Sequence, residues 1–319
     1  MKRIIWIDII RGICMIEILL FHTEIYYSGG EIIKYNLYVS NALIAFYFIS
    51  GYLFYNNKPF CLQNKLIYIL RSIIIPYFIF SIFIAVCKAL IYENNNIYAI
   101  INNILTGKAS WFITSLAVSE FIFSILLLIK EKYNRFIMPI VCILLFIISA
   151  FINTNNLKIW NYNISYMSMI YLYLGYLYHK NEKVINNYNN TLYVSLSIII
   201  IIFIKYIEYY YKINIMICPL TISNYIIFLI DSIVGIYLLI NISKKIPNYK
   251  FIKYTGSHSI TYYFLCGGVP LLTSTILNKI NFYYNGQYYR IIIALIIVYI
   301  ICTSITWIIY KFIPWTIGK

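Results

Sequence analysis

The chain has 319 residues, of which 62% are hydrophobic and only 11% are charged. Soluble domains hold about 45–50% apolar and about 25% charged residues, so this composition argues against a soluble domain. The mean hydropathy is +0.79, and apolar runs of about 17–25 residues, the length that spans a bilayer, recur along the sequence. The composition predicts an all-α membrane protein in the form of a polytopic helix bundle.

The net charge of +15 does not indicate a nucleic-acid partner, because the basic residues are scattered over short loops and form no stripe. Contact of these loops with anionic lipid explains the charge. The seven cysteines form no CxxC pair and most of them lie inside apolar runs, so we expect neither disulfides nor metal ligands.

The hydropathy pattern defines about ten candidate spans in a single membrane domain over 1–319. They cover residues 4–24, 37–56, 72–92, 111–129, 136–152, 164–179, 191–208, 224–241, 257–278 and 291–311. The first run follows a two-residue basic lead without a small-residue cleavage site, which predicts a retained helix instead of a signal peptide. We see no internal repeat of broken helices, which disfavours a secondary transporter.

The distribution of Lys and Arg between the loops predicts the orientation. With the N-terminus inside, the inner segments hold sixteen basic residues: Lys2, Arg3, Lys58, Lys65, Arg71, Lys130, Lys132, Arg135, Lys180, Lys183, Lys244, Lys245, Lys250, Lys253, Lys311 and Lys319. The outer segments hold six: Lys34, Lys108, Lys158, Lys212, Lys279 and Arg290. This positive-inside bias predicts a multi-pass protein with both termini in the cytoplasm. We expect its membrane to be the plasma (inner) membrane.

The first span carries four ionisable residues, Asp8, Arg11, Glu17 and His22. At about 100° per residue, Arg11 and His22 project roughly 20° apart and Asp8 projects roughly 40° from His22, so the three share one face, whereas Glu17 lies about 140° away from His22. Asp8 and Arg11 could form a structural ion pair, and His22 could be an interfacial histidine bonded to a neighbouring helix. Their common face favours a functional channel, because ionisable residues at membrane depth usually face a wet or protein-lined space.

Other polar residues within the spans have weaker interpretations. Glu120 and Asp231 are intramembrane acids and possible substrate-lining residues. Ser50, also a possible substrate-lining residue, precedes Gly51, and the pair could equally allow close helix packing. We expect three charged residues near span ends to extend their charges toward the interface: Lys88, Lys205 and Glu208. The sequence has no GxSxG, no HExxH, no glycine-rich phosphate loop and no carboxylate-rich metal site.

The first span resembles the opening motif of the acyltransferase-3 family of integral-membrane O-acyltransferases. That motif is Asp-x-x-Arg-Gly with ten residues between the Arg and a His, and it corresponds here to Asp8, Arg11, Gly12 and His22. The second span ends in AFYFISGYLF, which matches the phenylalanine-rich Ser-Gly-Tyr-Leu element of the family.

Three later elements follow in the order that the family shows. The basic segment leading to Pro-Tyr appears as KLIYILRSIIIPYFIF, with Lys65 where the family usually has a second arginine beside Arg71. A Trp-Phe pair beginning at Trp111 opens the fourth span. The Gly-x-x-Ser-x-x-x-Tyr element appears as GSHSITYYFL, and Cys266 stands where relatives often have His.

The resemblance implies transfer of an acyl group, commonly acetyl, from cytoplasmic acetyl-CoA (acyl-CoA) to a hydroxyl of a surface carbohydrate or lipid-linked glycan. It implies His22 as the catalytic base, or as a transient acyl carrier, supported by Asp8 and Arg11. Donor binding would fall to Arg11, Lys65, Arg71 and Trp111. Acetyl-CoA would be a substrate, with no permanently bound cofactor and no metal. Two alternatives remain open from the residues: a polysaccharide flippase or transporter, and a polysaccharide polymerase.

Overall fold

The computed structural model describes residues 4–56, 59–91, 96–133, 136–152, 156–186 and 191–318. These residues are mostly helical. The longer helices are α1 (Ile5–Ser28), α2 (Tyr35–Phe54), α4 (Ile75–Ile91), α6 (Trp111–Lys132), α7 (Ile137–Phe151), α8 (Tyr162–Lys180), α10 (Thr191–Tyr210), α11 (Tyr225–Lys245), α13 (Ser259–Lys279) and α14 (Tyr288–Phe312). The shorter ones are α3 (Leu62–Ile69), α5 (Ile97–Leu105), α9 (Glu182–Asn186) and α12 (Lys250–Ser257).

Short irregular elements connect or follow several of these helices. A π-helical turn, Leu70–Ile74, joins α3 to α4, and 3₁₀ turns occupy Ile159–Asn161 and Pro314–Ile317. Among the described residues, strands β1 (Ile215–Met216) and β2 (Thr221–Ile222) pair antiparallel with Ile215 opposite Ile222.

Each of the ten predicted spans overlaps one of the longer helices. Within the described residues, seven helical segments are long and apolar enough to cross a membrane: Tyr35–Phe54, Leu62–Val86, Trp111–Lys132, Thr191–Tyr210, Tyr225–Lys245, Ser259–Lys279 and Tyr288–Phe312. Helix α1 is also long enough at 24 residues, but it is richer in ionisable residues than these seven. A helical membrane protein is therefore confirmed, whereas the count of ten spans and the cytoplasmic termini stay predictions.

The chain forms two compact units. Unit 1 comprises Met1–Ala45, Thr191–Lys212 and Leu229–Ile313. Within it, α1 packs against α12, α13 and α14. A buried cluster of Tyr27, Leu277, Ile291 and Ala294 joins three of these helices, and the Tyr27 hydroxyl donates to the Phe282 carbonyl at 2.8 Å.

Unit 2 comprises Phe46–Asn190, Ile213–Phe228 and Pro314–Lys319. Here α8 packs against α6 and α7. A Cβ at Gly51 would overlap the backbone of Leu172, and a Cβ at Gly175 would overlap the carbonyl of Phe48. The segment of α2 in unit 2 and α8 therefore approach backbone to backbone, which confirms the packing interpretation of the Ser-Gly pair.

Candidate active site

The opening motif lies on α1 in unit 1. Because α1 is a single α-helix over Ile5–Ser28, the predicted common face of Asp8, Arg11 and His22 follows from helical geometry. Asp8 is buried at 5% exposure, and Arg11 is half-buried. Gly12 faces α12, where a Cβ would overlap the carbonyl of Ile252. The N-terminal half of α1 thus packs closely against α12.

His22 lies near the other end of α1 and is half-buried. Its ring packs edge-on against Phe21 at 5.7 Å and lies nearly parallel to Tyr26 at 6.2 Å. Within the part of the chain that the structure describes, neither imidazole nitrogen makes a hydrogen bond. An imidazole held by aromatic rings but not committed to a protein partner can accept a proton from a bound substrate.

Glu24, two residues beyond His22, organises this end of unit 1. Its fully buried carboxylate accepts the backbone N–H groups of Ile32 and Ile33 at 3.3 and 3.2 Å and the Tyr288 hydroxyl at 2.5 Å. These bonds tie the segment after α1 and the start of α14 to α1 itself. No sequence motif includes Glu24, although a carboxylate at the end of an apolar run is itself a signal of a functional or structural role.

Asp231 lies in a buried charged cluster of unit 1. The Lys205 ammonium lies 2.8 Å from an Asp231 oxygen and 3.2 Å from a Glu208 oxygen, and it donates to the Asn36 carbonyl at 2.5 Å. Asp231 and Glu208 are 0% and 1% exposed. The expectation that Lys205 and Glu208 extend to the interface is therefore wrong, because each is paired inside the protein. The side chain of Lys88 lies outside the described residues.

Three other predicted site residues meet in unit 2. The Ser50 hydroxyl donates to the Glu120 carboxylate, and the Lys65 ammonium pairs with the same carboxylate at 2.8 Å. The ammonium also lies over the rings of Phe54 and Tyr68, at 3.9 and 4.7 Å from their centroids. Lys65 thus has one carboxylate and two aromatic faces as neighbours, an arrangement that stabilises a cation in a poorly solvated place.

The two remaining donor-binding candidates are less enclosed. Arg71 lies in the π-helical turn and is exposed, and no other described residue pairs with its guanidinium. Trp111 is the first residue of α6 and is half-buried, with its ring edge-on to Phe112 at 5.8 Å. An unpaired guanidinium can bind a phosphate bidentately. No described residue pairs with Arg71, whereas the Lys65 ammonium is already paired with the Glu120 carboxylate.

The structure therefore sorts the predicted residues into three groups. On α1 it places Asp8 and Arg11 in the N-terminal half, and beyond them His22, whose ring makes no hydrogen bond within the described residues. In unit 2 it brings Ser50, Lys65 and Glu120 together and leaves Arg71 and Trp111 outside that cluster. In unit 1 it pairs Asp231 with Lys205, a partner that the sequence analysis had not assigned. No group of three or more His, Cys, Asp or Glu side chains suited to a metal ion occurs among the described residues.

Comparison with known proteins identifies the family of the chain. No curated protein and no solved structure matches the chain. The sequence model of the acyltransferase-3 family, described as an acyltransferase domain, matches residues 4–311. The match covers both the α1 motif and the segment that carries Lys65, Arg71 and Trp111. The chain therefore belongs to the acyltransferase-3 family.

Proposed function

We propose that the protein is a membrane O-acyltransferase that moves an acyl group, acetyl in the first instance, from acyl-CoA to a hydroxyl of a surface carbohydrate. Its membership of the family supports acyl transfer, and its apolar helices support a membrane enzyme. The observation that carries the residue assignment is His22, an imidazole without a protein hydrogen bond in the described structure, on the same helical face as Asp8 and Arg11.

The chemistry requires one base and an activated acyl group. His22 accepts the proton of the acceptor hydroxyl as the oxygen attacks the thioester carbonyl. The new C–O ester bond forms, the C–S bond breaks, and the imidazolium returns its proton to the departing CoA thiolate, so that atoms and charges balance. In a two-step variant, His22 itself carries the acyl group between the thioester and the hydroxyl.

The donor has to be recognised through its phosphates, because these are the charged part of CoA. We assign this role first to Arg71, whose guanidinium is exposed and unpaired among the described residues. Arg11 and Trp111 are further candidates for the donor site. Lys65 belongs to this set only if its ammonium can contact a phosphate while it keeps the Glu120 pair. With the positive-inside orientation, the donor arrives from the cytoplasm and the glycan hydroxyl from outside.

The reaction class can be tested on the product. Mass spectrometry of surface glycans from cells with and without the protein should show chains of normal length that lack ester groups when the protein is absent. Changed chain length would point to a polymerase, and glycan retained inside the cell would point to a flippase. Either result would contradict the proposed acyl transfer.

The base can be tested by His22→Gln, which keeps a polar side chain of similar size but cannot take up a proton near neutral pH. Loss of general-base help should slow radiolabelled acetyl transfer in membranes by about 10²–10⁴-fold. His179→Gln is the matched control, because the His179 ring bonds to the Tyr52 carbonyl at 2.8 Å and has no proposed role. Near-normal transfer by a well-expressed His22→Gln protein would return His22 to a structural role.

A further inference from the structure

The π-helical turn that carries Arg71 has an origin in the sequence. The Ile75 N–H donates to the Leu70 carbonyl, five residues back. In this π-helical register, the Arg71 carbonyl would accept a hydrogen bond from the backbone N–H of residue 76. Residue 76 is a proline and has no N–H. A proline ring also disturbs the turn that precedes it, and a π turn is one way for a helix to accommodate it. The carbonyl of Arg71 therefore lacks the backbone N–H that would bond to it in a regular π-helix.

The residues after α14 lie against this carbonyl. The 3₁₀ turn Pro314–Ile317 packs on the π turn and on α4 within unit 2. Gly318 follows with φ 73°, and a Cβ there would overlap the Arg71 carbonyl and come within 3.1 Å of the Ser72 Cα. Thr316 and Ile317 are buried at 4% and 5% exposure, which anchors the segment. Only a residue without a side chain fits at position 318.

We propose that the segment Pro314–Gly318 is a positioning element for the donor site, and that Gly318 holds the π turn so that Arg71 presents its guanidinium to the CoA phosphates. This inference rests on the proposed donor role of Arg71. Gly318, which has no side chain, packs directly against the backbone carbonyl of Arg71, the group for which residue 76 offers no N–H. It acts on the backbone of Arg71 while the guanidinium stays exposed for a ligand. Single π turns within helices occur frequently at functional sites.

The test compares Gly318→Ala with Gly286→Ala in the full chain. Both glycines have positive φ, 73° and 88°, but a Cβ at Gly286 would meet no atom within 4 Å. The control therefore carries the same backbone strain without the overlap. Inside-out membrane vesicles receive radiolabelled acetyl-CoA or S-acetylpantetheine, which lacks the nucleotide phosphates, each below its KM. The rate of acetyl transfer to the endogenous acceptor is measured with each of the two acyl donors. A loss of rate with acetyl-CoA alone indicates impaired phosphate recognition, whereas a loss with both indicates general damage to the protein.

We expect Arg71→Ala to lower transfer from acetyl-CoA by about 10- to 150-fold, the loss of one charge-assisted hydrogen bond. Gly318→Ala should lower it by a comparable or smaller factor and should add nothing when Arg71 is already Ala. Transfer from S-acetylpantetheine should stay unchanged in each variant, and Gly286→Ala should match the native protein with both donors. If Gly318→Ala is not inserted in the membrane, Ile317→Ala loosens the same segment without an overlap and should show the same pattern in weaker form.

The outcomes separate this inference from the function on which it rests. If Arg71→Ala lowers acetyl-CoA transfer but neither Gly318→Ala nor Ile317→Ala does, the positioning role is overturned and the donor role of Arg71 stands. The positioning role is also overturned if the effect of Gly318→Ala adds fully to that of Arg71→Ala, or if it extends to S-acetylpantetheine. If Arg71→Ala changes neither rate, the donor assignment fails and the positioning role fails with it.

Discussion

Gly256 of α12 packs directly on the backbone of Asp8 in α1. A Cβ at position 256 would overlap the Asp8 carbonyl oxygen and stand 2.8 Å from the Gly12 nitrogen. Gly12 in turn faces the Ile252 carbonyl of α12. Two sequence elements of the family, one early and one late in the chain, are therefore in contact, and each contributes a glycine so that the two helix backbones can approach closely.

Replacing Gly256 should damage the protein through this contact. Gly256→Ala places a methyl group against backbone atoms, which cannot rotate away, and we expect a loss of about 1–3 kcal/mol in the free energy of unfolding. Gly267→Ala is the matched control, since Gly267 is also helical but a Cβ there meets no atom within 4 Å. The control should gain about 0.5–1 kcal/mol from helix propensity. Thermal unfolding in detergent measures both, and equal melting temperatures would contradict the close approach.

The Lys65–Glu120 pair should contribute mainly to stability. Both side chains are mostly buried and their charged atoms lie 2.8 Å apart. Glu120→Gln leaves the ammonium without its counter-charge, so we expect a destabilisation of up to about 3–5 kcal/mol. The double variant Lys65→Met with Glu120→Gln should be less destabilised than the sum of the two single changes, which a double-mutant cycle in detergent can measure. Strict additivity would mean that the pair does not interact.

Affinity for the donor separates Lys65 from Arg71. The Lys65 charge is already balanced by Glu120, whereas the Arg71 guanidinium is free among the described residues. Lys65→Met should therefore lower the melting temperature more than it changes the dissociation constant for acetyl-CoA, and Arg71→Ala should do the reverse. A large loss of acetyl-CoA affinity in stable Lys65→Met protein would restore Lys65 as a phosphate ligand.

The charged cluster around Lys205 should respond in a specific order. Lys205→Met leaves two buried carboxylates, Asp231 and Glu208, without a cation, while Asp231→Asn leaves Lys205 still paired with Glu208. We expect Lys205→Met to be the more destabilising change, by about 3–5 kcal/mol. Unfolding of the two variants in detergent measures this difference in stability. Asp231→Asn protein that folds well but loses transfer activity would show that Asp231 contacts substrate, as its position in a span had suggested.

The predicted orientation can be tested by cysteine labelling. In a background with the exposed Cys61 and the half-buried Cys218 replaced by Ser, an impermeant maleimide applied to intact cells should label Lys108→Cys and should not label Lys250→Cys. The sixteen-to-six distribution of basic residues is the reason for this expectation. The opposite labelling pattern would invert the topology and with it the delivery of the donor from the cytoplasm.

Much of this protein follows from its sequence because a bilayer restricts a chain to long helices with satisfied backbone groups. Apolar runs therefore located the longer helices, and the motif of Asp8, Arg11 and His22 on one helical face indicated the family. Local sequence patterns do not predict which side chains from distant segments pair with each other. Lys205 near a span end predicted a charge at the interface, and only the tertiary structure showed Asp231 beside it in the interior. The contact of Gly318 with the Arg71 turn likewise joins residues that are far apart in the chain. Only the packed structure shows that the Arg71 carbonyl leaves no room for a side chain at position 318.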